Sequence, residues 1–406
     1  MSFIEDNTKK LLLLGGLRYL KPVIEVAHEL GLYVVTCDNV PTNVAHQFAD
    51  EYHNISILDK EAVLALAKRL DVAGILSFAV DPGVLTAAYV AEELGLPFAG
   101  SYESVRILQN KDFFRAFLRE HGFHTPVSGG YNSLEEAQEE ISQFTFPVMV
   151  KPVDSAGSKG VARVDDAEKL EEAVQQAIQL SFTNRFIIEE YIEQENYSSD
   201  SDCFSLDGKL VFSSFSDQMF DAKAANPYTP AAYVWPNAMT KQQKEYLESE
   251  LQRLFTLLGL KSSIYNIETR IGKNGLPYIM EVSPRGGGNR IAEILREATG
   301  IDLIKAAVQV AVGESCTLPS TKAYQGVWAE LILYADKGGI FDSVLIDESI
   351  APFLQEEDLW VKPGEKVNPF TGANETIGIL IFQFSSRQEL EELWSDVRNK
   401  ITINVR

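Results

Sequence analysis

Three clusters in this chain of 406 residues combine residue types that can do chemistry. The first is Lys151-Pro152-Val153-Asp154-Ser155-Ala156-Gly157-Ser158-Lys159-Gly160. Lys151 closes an apolar stretch, Phe146–Lys151, and a lysine in that place is costly to bury unless an anion neutralises it. Gly157 and Gly160 let backbone N–H groups converge on an anion, and Ser155 and Ser158 add hydroxyl donors. The set suits a nucleotide phosphate, although the G-x-x-x-x-G-K-[ST] order of a P-loop is absent. A plain hairpin loop with an exposed lysine is the competing explanation for this segment alone.

The second cluster is Asn266-Ile267-Glu268-Thr269-Arg270 with Met280-Glu281-Val282-Ser283-Pro284-Arg285. Two apolar runs separated by Lys273-Asn274-Gly275 predict a hairpin, Ile264–Ile271 and Pro277–Val282, that sets Glu268 and Glu281 across from each other on one face. Paired carboxylates repel unless a cation sits between them, and Mg²⁺ prefers carboxylate and phosphate oxygens together. Arg285 could hold a phosphoryl group or a substrate carboxylate in a two-pronged contact. The third cluster, Ile187 to Glu195, runs an apolar strand into the acids Glu189, Glu190, Glu193 and Glu195. It suits a hinge where a peptide edge and a carboxylate meet adenine and ribose; ordinary edge acids are the alternative.

These clusters need a frame. The first hundred residues alternate short apolar runs (Leu11–Leu14, Tyr33–Thr36, Ile75–Phe78) with helical patterns (Pro22–Leu30, Val63–Leu70, Val84–Leu94), which predicts a parallel sheet with helical crossovers. Gly15-Gly16 lacks the rest of a dinucleotide fingerprint and reads as a tight turn. Open sheets of this kind bind ligands at the carboxyl ends of their strands. One amphipathic helix is expected over Ser104–His121, strands at Phe146–Lys151, Gly160–Val164 and Phe186–Tyr191, and a hairpin of Phe204–Leu206 and Leu210–Phe215 around Asp207-Gly208. Helices are expected at Lys241–Leu258, Arg290–Ala298 and Ile301–Val312. After Gly313 strands at Val327–Tyr334, Ile377–Gln383 and Ile401–Val405 and a helix at Arg387–Asn399 predict a small α+β module.

Composition bounds the rest. At roughly 100–200 residues per domain the length implies two to four domains. Hydrophobic residues make up 45% and charged residues 23%, enough for a large core. No apolar run approaches the ~20 residues of a membrane helix, and the start of the chain does not read as a signal peptide, so a cytoplasmic protein is expected. The formal net charge of −22 disfavours nucleic acid and anionic membranes as partners. The three cysteines, Cys37, Cys203 and Cys316, show no metal or disulfide spacing and read as buried small residues.

In this order along the chain, the clusters resemble the ATP-grasp superfamily, in the pattern of its amino-acid ligase, carbamoyl-phosphate-synthase-like and biotin-carboxylase-like branches. The resemblance implies an N-terminal Rossmann-like α/β domain (1–110), a two-lobed ATP-grasp domain (111–315, lid about 146–192) and a C-terminal α+β module (316–406). It implies ATP and Mg²⁺, with Mn²⁺ as a substitute, bound by Lys111, Lys151, the loop residues Ser155, Gly157, Ser158 and Gly160, the hinge at Glu190 and Ile192, and Glu195 at the ribose. Glu268, Glu281 and Ser283 fall on the metal ligands, with Ser283 standing where the family has asparagine. Arg285 falls beside the acyl-phosphate, and Arg290 and Lys223 are further substrate or phosphate contacts.

The expected activity is that of an ATP-dependent carboxylate–amine ligase working through an acyl-phosphate on an amino acid or similar small acid. Carbamoyl-phosphate-synthase-like, carboxylase-like and phosphoribosylamine–glycine ligase chemistries stay open, as does an ATP-binding protein without turnover. The expected partners are small-molecule carboxylate and amine substrates and, as an assembly, a homodimer.

Overall fold

The computed structural model describes residues 8–319 and 323–406. Near the N-terminus, Glu51–His53, Tyr33–Cys37, Lys10–Leu14 and Gly74–Ser77 form a four-stranded sheet in that order, all parallel. Leu11 to Leu14 are fully buried because helices cover both faces, which is why the strand is apolar without alternation. The helix Asp81–Leu94 begins just past the carboxyl end of the last strand, so Asp81 stands at the sheet edge where the sequence predicted ligand contacts.

The single helix expected over Ser104–His121 is two, Tyr102–Gln109 and Lys111–Glu120. Asn110 between them is extended (φ −117°, ψ 114°). This break turns the chain so that Lys111 starts a new helix, with its N–H bonded to the Val153 carbonyl at 2.9 Å. Arg387–Asn399 likewise divides, into Arg387–Trp394 and Val397–Lys400.

A second sheet is made of Ser128–Tyr131, Phe186–Glu190, Val148–Pro152 and Ala162–Val164, antiparallel throughout. The third is the platform on which the carboxylates sit, in the order Lys209–Ser213, Ser199–Leu206, Ser263–Ile271, Pro277–Ser283. The middle strands alternate: Tyr265, Ile267 and Ile271 pack into an apolar core with Leu247, Leu251 and Phe255 of the helix Lys241–Leu257. Asn266, Glu268 and Arg270 face the other way, as a period of two requires. The strand expected over Phe204–Leu206 begins earlier, at Ser199.

The remaining large sheet runs Asp217–Phe220, Pro230–Trp235, Val327–Leu333, Gly378–Phe384, Leu354–Leu359. Its first two strands come from the middle of the chain, so the C-terminal module shares a sheet with the segment between the platform strands. Among the described residues no helix is long and apolar enough to cross a membrane.

Candidate active site

The expected hairpin forms with the predicted pairing. Glu268 lies directly opposite Glu281, and on its other side opposite Asp200 of Ser199–Leu206. Three carboxylates therefore make a row across three strands. The next row on the same face is Asp202, Asn266 and Ser283. Asn266 Nδ2 ties the rows together, donating to Asp200 Oδ1 at 2.8 Å and to Asp202 Oδ1 at 3.2 Å. Side chains of Glu268 and Glu281 keep 32% and 30% of their exposure, so the pair is open to a ligand. Burial, with the Glu268 charge beside it, pushes Asp200 up to about 7, and burial does the same to Asp202.

Lys111 joins this row to the glycine loop. Its Nζ donates to the Ser155 carbonyl at 2.9 Å and lies 3.4 Å from Glu281 Oε2. The loop itself turns through left-handed backbone at Gly157, Ser158 and Gly160 (φ 68°, 58° and 68°), which explains two of its glycines. Ser158 Oγ donates to the Tyr228 carbonyl at 2.8 Å, and Asn226 Nδ2 donates to the carbonyls of Ser158 and Thr371. The Ser155 hydroxyl donates to the Leu180 carbonyl. The loop thus lies against the C-terminal module, over the side of the site.

Lys151 projects from its strand as expected, but its ammonium is paired with Glu189. Glu189 also receives Arg115 Nε at 2.9 Å. Burial pushes this carboxyl up, yet the two cations outweigh it and hold it at about 2. The sequence reading passed over Glu189 in favour of Glu190, whose carboxylate accepts the Thr145 N–H at 2.8 Å while its own N–H donates to the Val127 carbonyl. Ile192 lies two residues beyond the end of that strand. The Glu195 side chain is exposed, and its N–H donates to the Ile271 carbonyl at 2.8 Å, fastening this segment to the hairpin.

Arg285 is buried and forked onto Asp81, with Nε–Oδ1 2.9 Å and Nη2–Oδ2 2.7 Å. Burial raises the Asp81 carboxyl, and Arg285 more than reverses that, leaving it below the usual range. Ser283 Oγ donates to Asp81 Oδ1 at 2.9 Å and accepts Gln109 Nε2 at 2.8 Å. Its hydroxyl is thereby engaged in holding Asp81. Gly286 lets this segment meet the N-terminal sheet edge: a Cβ there would stand 2.2 Å from the Phe78 ring.

Two expected contacts lie apart from the row. Arg290 is occupied by Glu293 (2.9 Å) and Glu356 (2.7 Å). Lys223 is exposed in the loop after Asp217–Phe220. Besides Glu189, sequence reasoning missed Asp81, Asp200 and Asp202; the Tyr233 hydroxyl donates to Asp200 Oδ2 at 3.1 Å. The Ser-Asp-Ser-Asp run at 199–202 was the available signal for the two aspartates: acids two residues apart in a strand lie on one face.

The donor set can be tested for fit. Among the described residues no group of three acids, histidines or cysteines has the geometry of a metal cage. Glu268 and Glu281 supply one or two carboxylates, which is what Mg²⁺ uses when substrate phosphates complete its shell. Lys111 and the loop amides stand where those phosphates would be neutralised, so these residues fit a magnesium nucleotide rather than a free ion.

Comparison with known proteins agrees. The family model for an ATP-grasp domain matches residues 144–293. Carnosine synthase 1 of Homo sapiens is 26% identical over 348 residues, covering 78% of this chain and 41% of that protein. The C-terminal section of the carbamoyl phosphate synthase large chain of Aquifex aeolicus is 26% identical over 290 residues, 71% of this chain and 53% of that protein. The chain thus spans about half the length of these curated relatives. The crystal structure of an L-amino acid ligase from Bacillus licheniformis superposes with a TM-score of 0.82 at 21% identity, covering 99% of this chain and all of that one. The chain therefore carries an ATP-grasp domain over residues 144–293, a kind of domain that binds ATP with Mg²⁺, and that segment holds Lys151, the glycine loop and the in-register pair Glu268 and Glu281.

Proposed function

We propose that the protein is an ATP-dependent carboxylate–amine ligase whose carboxylate substrate is an amino acid or similar small acid. The observation that carries this is Lys111 Nζ, set between Glu281 and the Ser155 carbonyl, because it draws the phosphate loop and the carboxylate row onto one ligand. Carnosine synthase, carbamoyl phosphate synthase and the L-amino acid ligase, as relatives in sequence or fold, support the same reaction class.

In this reading a substrate carboxylate oxygen attacks the γ-phosphorus of ATP, the bond to the β-phosphate oxygen breaks, and ADP and an acyl-phosphate result. The lone pair of an amine then attacks the acyl carbon, phosphate leaves with the bonding electrons, and the nitrogen loses a proton. Glu268 and Glu281 would hold Mg²⁺, which when bound would supply neutralisation of the phosphate charge; Lys111 and Lys151 hold phosphates, and the loop over 155–160 excludes water that would hydrolyse the intermediate. Arg285, fixed by Asp81, presents a permanent positive charge beside the reacting carboxyl. Catalysis by positioning and charge requires no side-chain nucleophile.

The test is phosphate release from Mg·ATP against a panel of amino acids and small acids, offered singly and in pairs. At least one combination should raise release well above the ATP-only rate, and Glu281→Gln should abolish that stimulated rate. Absence of stimulation by every combination would favour an ATP-binding protein without turnover, the reading that Ser283 at the asparagine position supports.

A further inference from the structure

Glu330 is the least expected side chain in the molecule. It sits in the middle of Val327–Leu333, between Ala329 and Leu331, with 0% of its surface exposed. Neither carboxylate oxygen has a hydrogen-bond partner among the described residues. A buried carboxyl with no partner is normally removed by selection or met by a ligand, because leaving it bare costs several kcal/mol (~2–7). Nothing in the ligase reaction above uses it.

Its surroundings join it to the site. Glu330 is in register with Tyr233 on the neighbouring strand, and their shared face carries Trp328 and Ile332 toward the same core. The Tyr233 hydroxyl donates to Asp200 Oδ2, and Asp200 is opposite Glu268. Asn289 Nδ2 stands 3.5 Å from the Tyr233 hydroxyl, and the Tyr19 hydroxyl donates to Asn289 Oδ1 at 3.3 Å. Step by step, Glu330, Tyr233 and Asp200 lead to the carboxylate row.

The charge here does not balance. Arg290 is the cation whose field reaches Glu330, and it is already held by Glu293 and Glu356. Asp200 and Glu293 add negative charge to the same neighbourhood. The groups gathered here (the Glu330 carboxylate, the Asp200 carboxylate, the Tyr233 hydroxyl and the Asn289 amide oxygen) are rich in acceptors; the last three already receive donors, and the two Glu330 oxygens receive none among the described residues. Among the described residues they do not form a metal cage, so the complementary ligand is an N–H donor bearing positive charge.

We propose that Glu330, assisted by Asp200 and Tyr233, receives a cationic nitrogen of the carboxylate substrate and selects amino-substituted acids over their unsubstituted counterparts. The inference rests on the ligase reading for the reacting carboxylate and goes beyond it in assigning the specificity residue. The nitrogen held at Glu330 is not the one acylated; it remains charged while the carboxylate end is phosphorylated.

The experiment compares ADP formation with carbon skeletons matched except for the amine: alanine with propionate, 4-aminobutyrate with butyrate, lysine with norleucine. At least one aminated acid should have a KM about 10- to 100-fold below its counterpart, the value of one charge-assisted contact. Glu330→Gln should collapse that ratio to within about threefold, on the same conversion of energy to affinity. Glu330→Asp, which moves the carboxyl back by one methylene, should shift preference toward an amine one carbon farther from the carboxylate. A ratio unchanged in both folded variants would overturn the proposal. If no acid supports ADP formation, the ligase reading has failed separately. Calorimetry of the same acid pairs on the protein loaded with magnesium and a non-hydrolysable ATP analogue then decides: preferential binding of the aminated acid, lost in Glu330→Gln, supports the assignment, and equal binding overturns it.

Discussion

Glu189 and Glu330 are both carboxylates set in the middle of sheet strands, 2% and 0% exposed. Glu189 is gripped by Arg115 and Lys151 and held far below the ordinary carboxylate range. Glu330 has no hydrogen-bond partner among the described residues and is driven well above it, first by burial, against the pull of Arg290 and with Asp200 and Glu293 adding to the rise. Equal burial therefore gives opposite electrostatics. A carboxylate whose partners are part of the fold fixes the sheet that carries it to the helix Lys111–Glu120; one whose partners are missing is a place where something else completes the structure.

The sharpest way to break this contrast is Arg115→Met. Removing one partner of a buried pair leaves charge uncompensated, and unfolding in urea should show a loss of about 3–5 kcal/mol. A loss below about 1 kcal/mol would mean that Lys151 alone suffices and that Glu189 is less structural than its contacts imply.

The second probe is acid. The Glu189 carboxyl is lowered from its ordinary 4.5 to about 2, so its stabilisation is complete above pH 4.5 and disappears as pH falls toward 2. Denaturation followed by circular dichroism over that window should show a decline on the order of 3 kcal/mol that Glu189→Gln lacks. Parallel curves for the two proteins would contradict the assignment.

Glu330 has the reverse sign. Its raised carboxyl stabilises only while protonated, so the wild type should lose ground to Glu330→Gln as pH rises above 4.5, by at most about 1.4 kcal/mol per pH unit. Thermal melts at pH 4.5 should place the two within about 1 kcal/mol. A wild type that gains on the variant with rising pH would show that Glu330 is ionised and already satisfied.

The sequence disclosed most about elements whose signal is local. The hairpin of Glu268 and Glu281 was legible because Lys273-Asn274-Gly275 separates two apolar runs, and the observed register pairs the two acids. The parallel N-terminal sheet followed from its alternation with helices. Lys151 was found as an odd charge closing an apolar strand, but not its partner, since Glu189 looked like one acid among several and only tertiary packing brings Arg115 to it. Glu330 escaped for the same reason: one acid inside an apolar run yields no period. The break at Asn110 was hidden because the apolar residues resume at Phe113 just beyond a short polar stretch, and the bond from the Lys111 N–H to the Val153 carbonyl forms only in the folded chain. Asp217–Phe220 and Pro230–Trp235 went unread as strands, being short and paired with a partner far along the chain.

That distant partnership bears on how the protein is made. Ala232 pairs with Leu331, roughly a hundred residues later, which at about 5–20 residues per second is some 5–20 seconds of synthesis. For that interval Pro230–Trp235 has left the ribosome while the strand that covers its edge does not yet exist. An uncovered strand edge rich in Tyr233, Val234 and Trp235 is the kind that pairs with neighbours. The nascent chain is therefore most vulnerable to aggregation late in translation, and slowing the ribosome between these two strands should lower soluble yield without changing a single residue of the finished molecule.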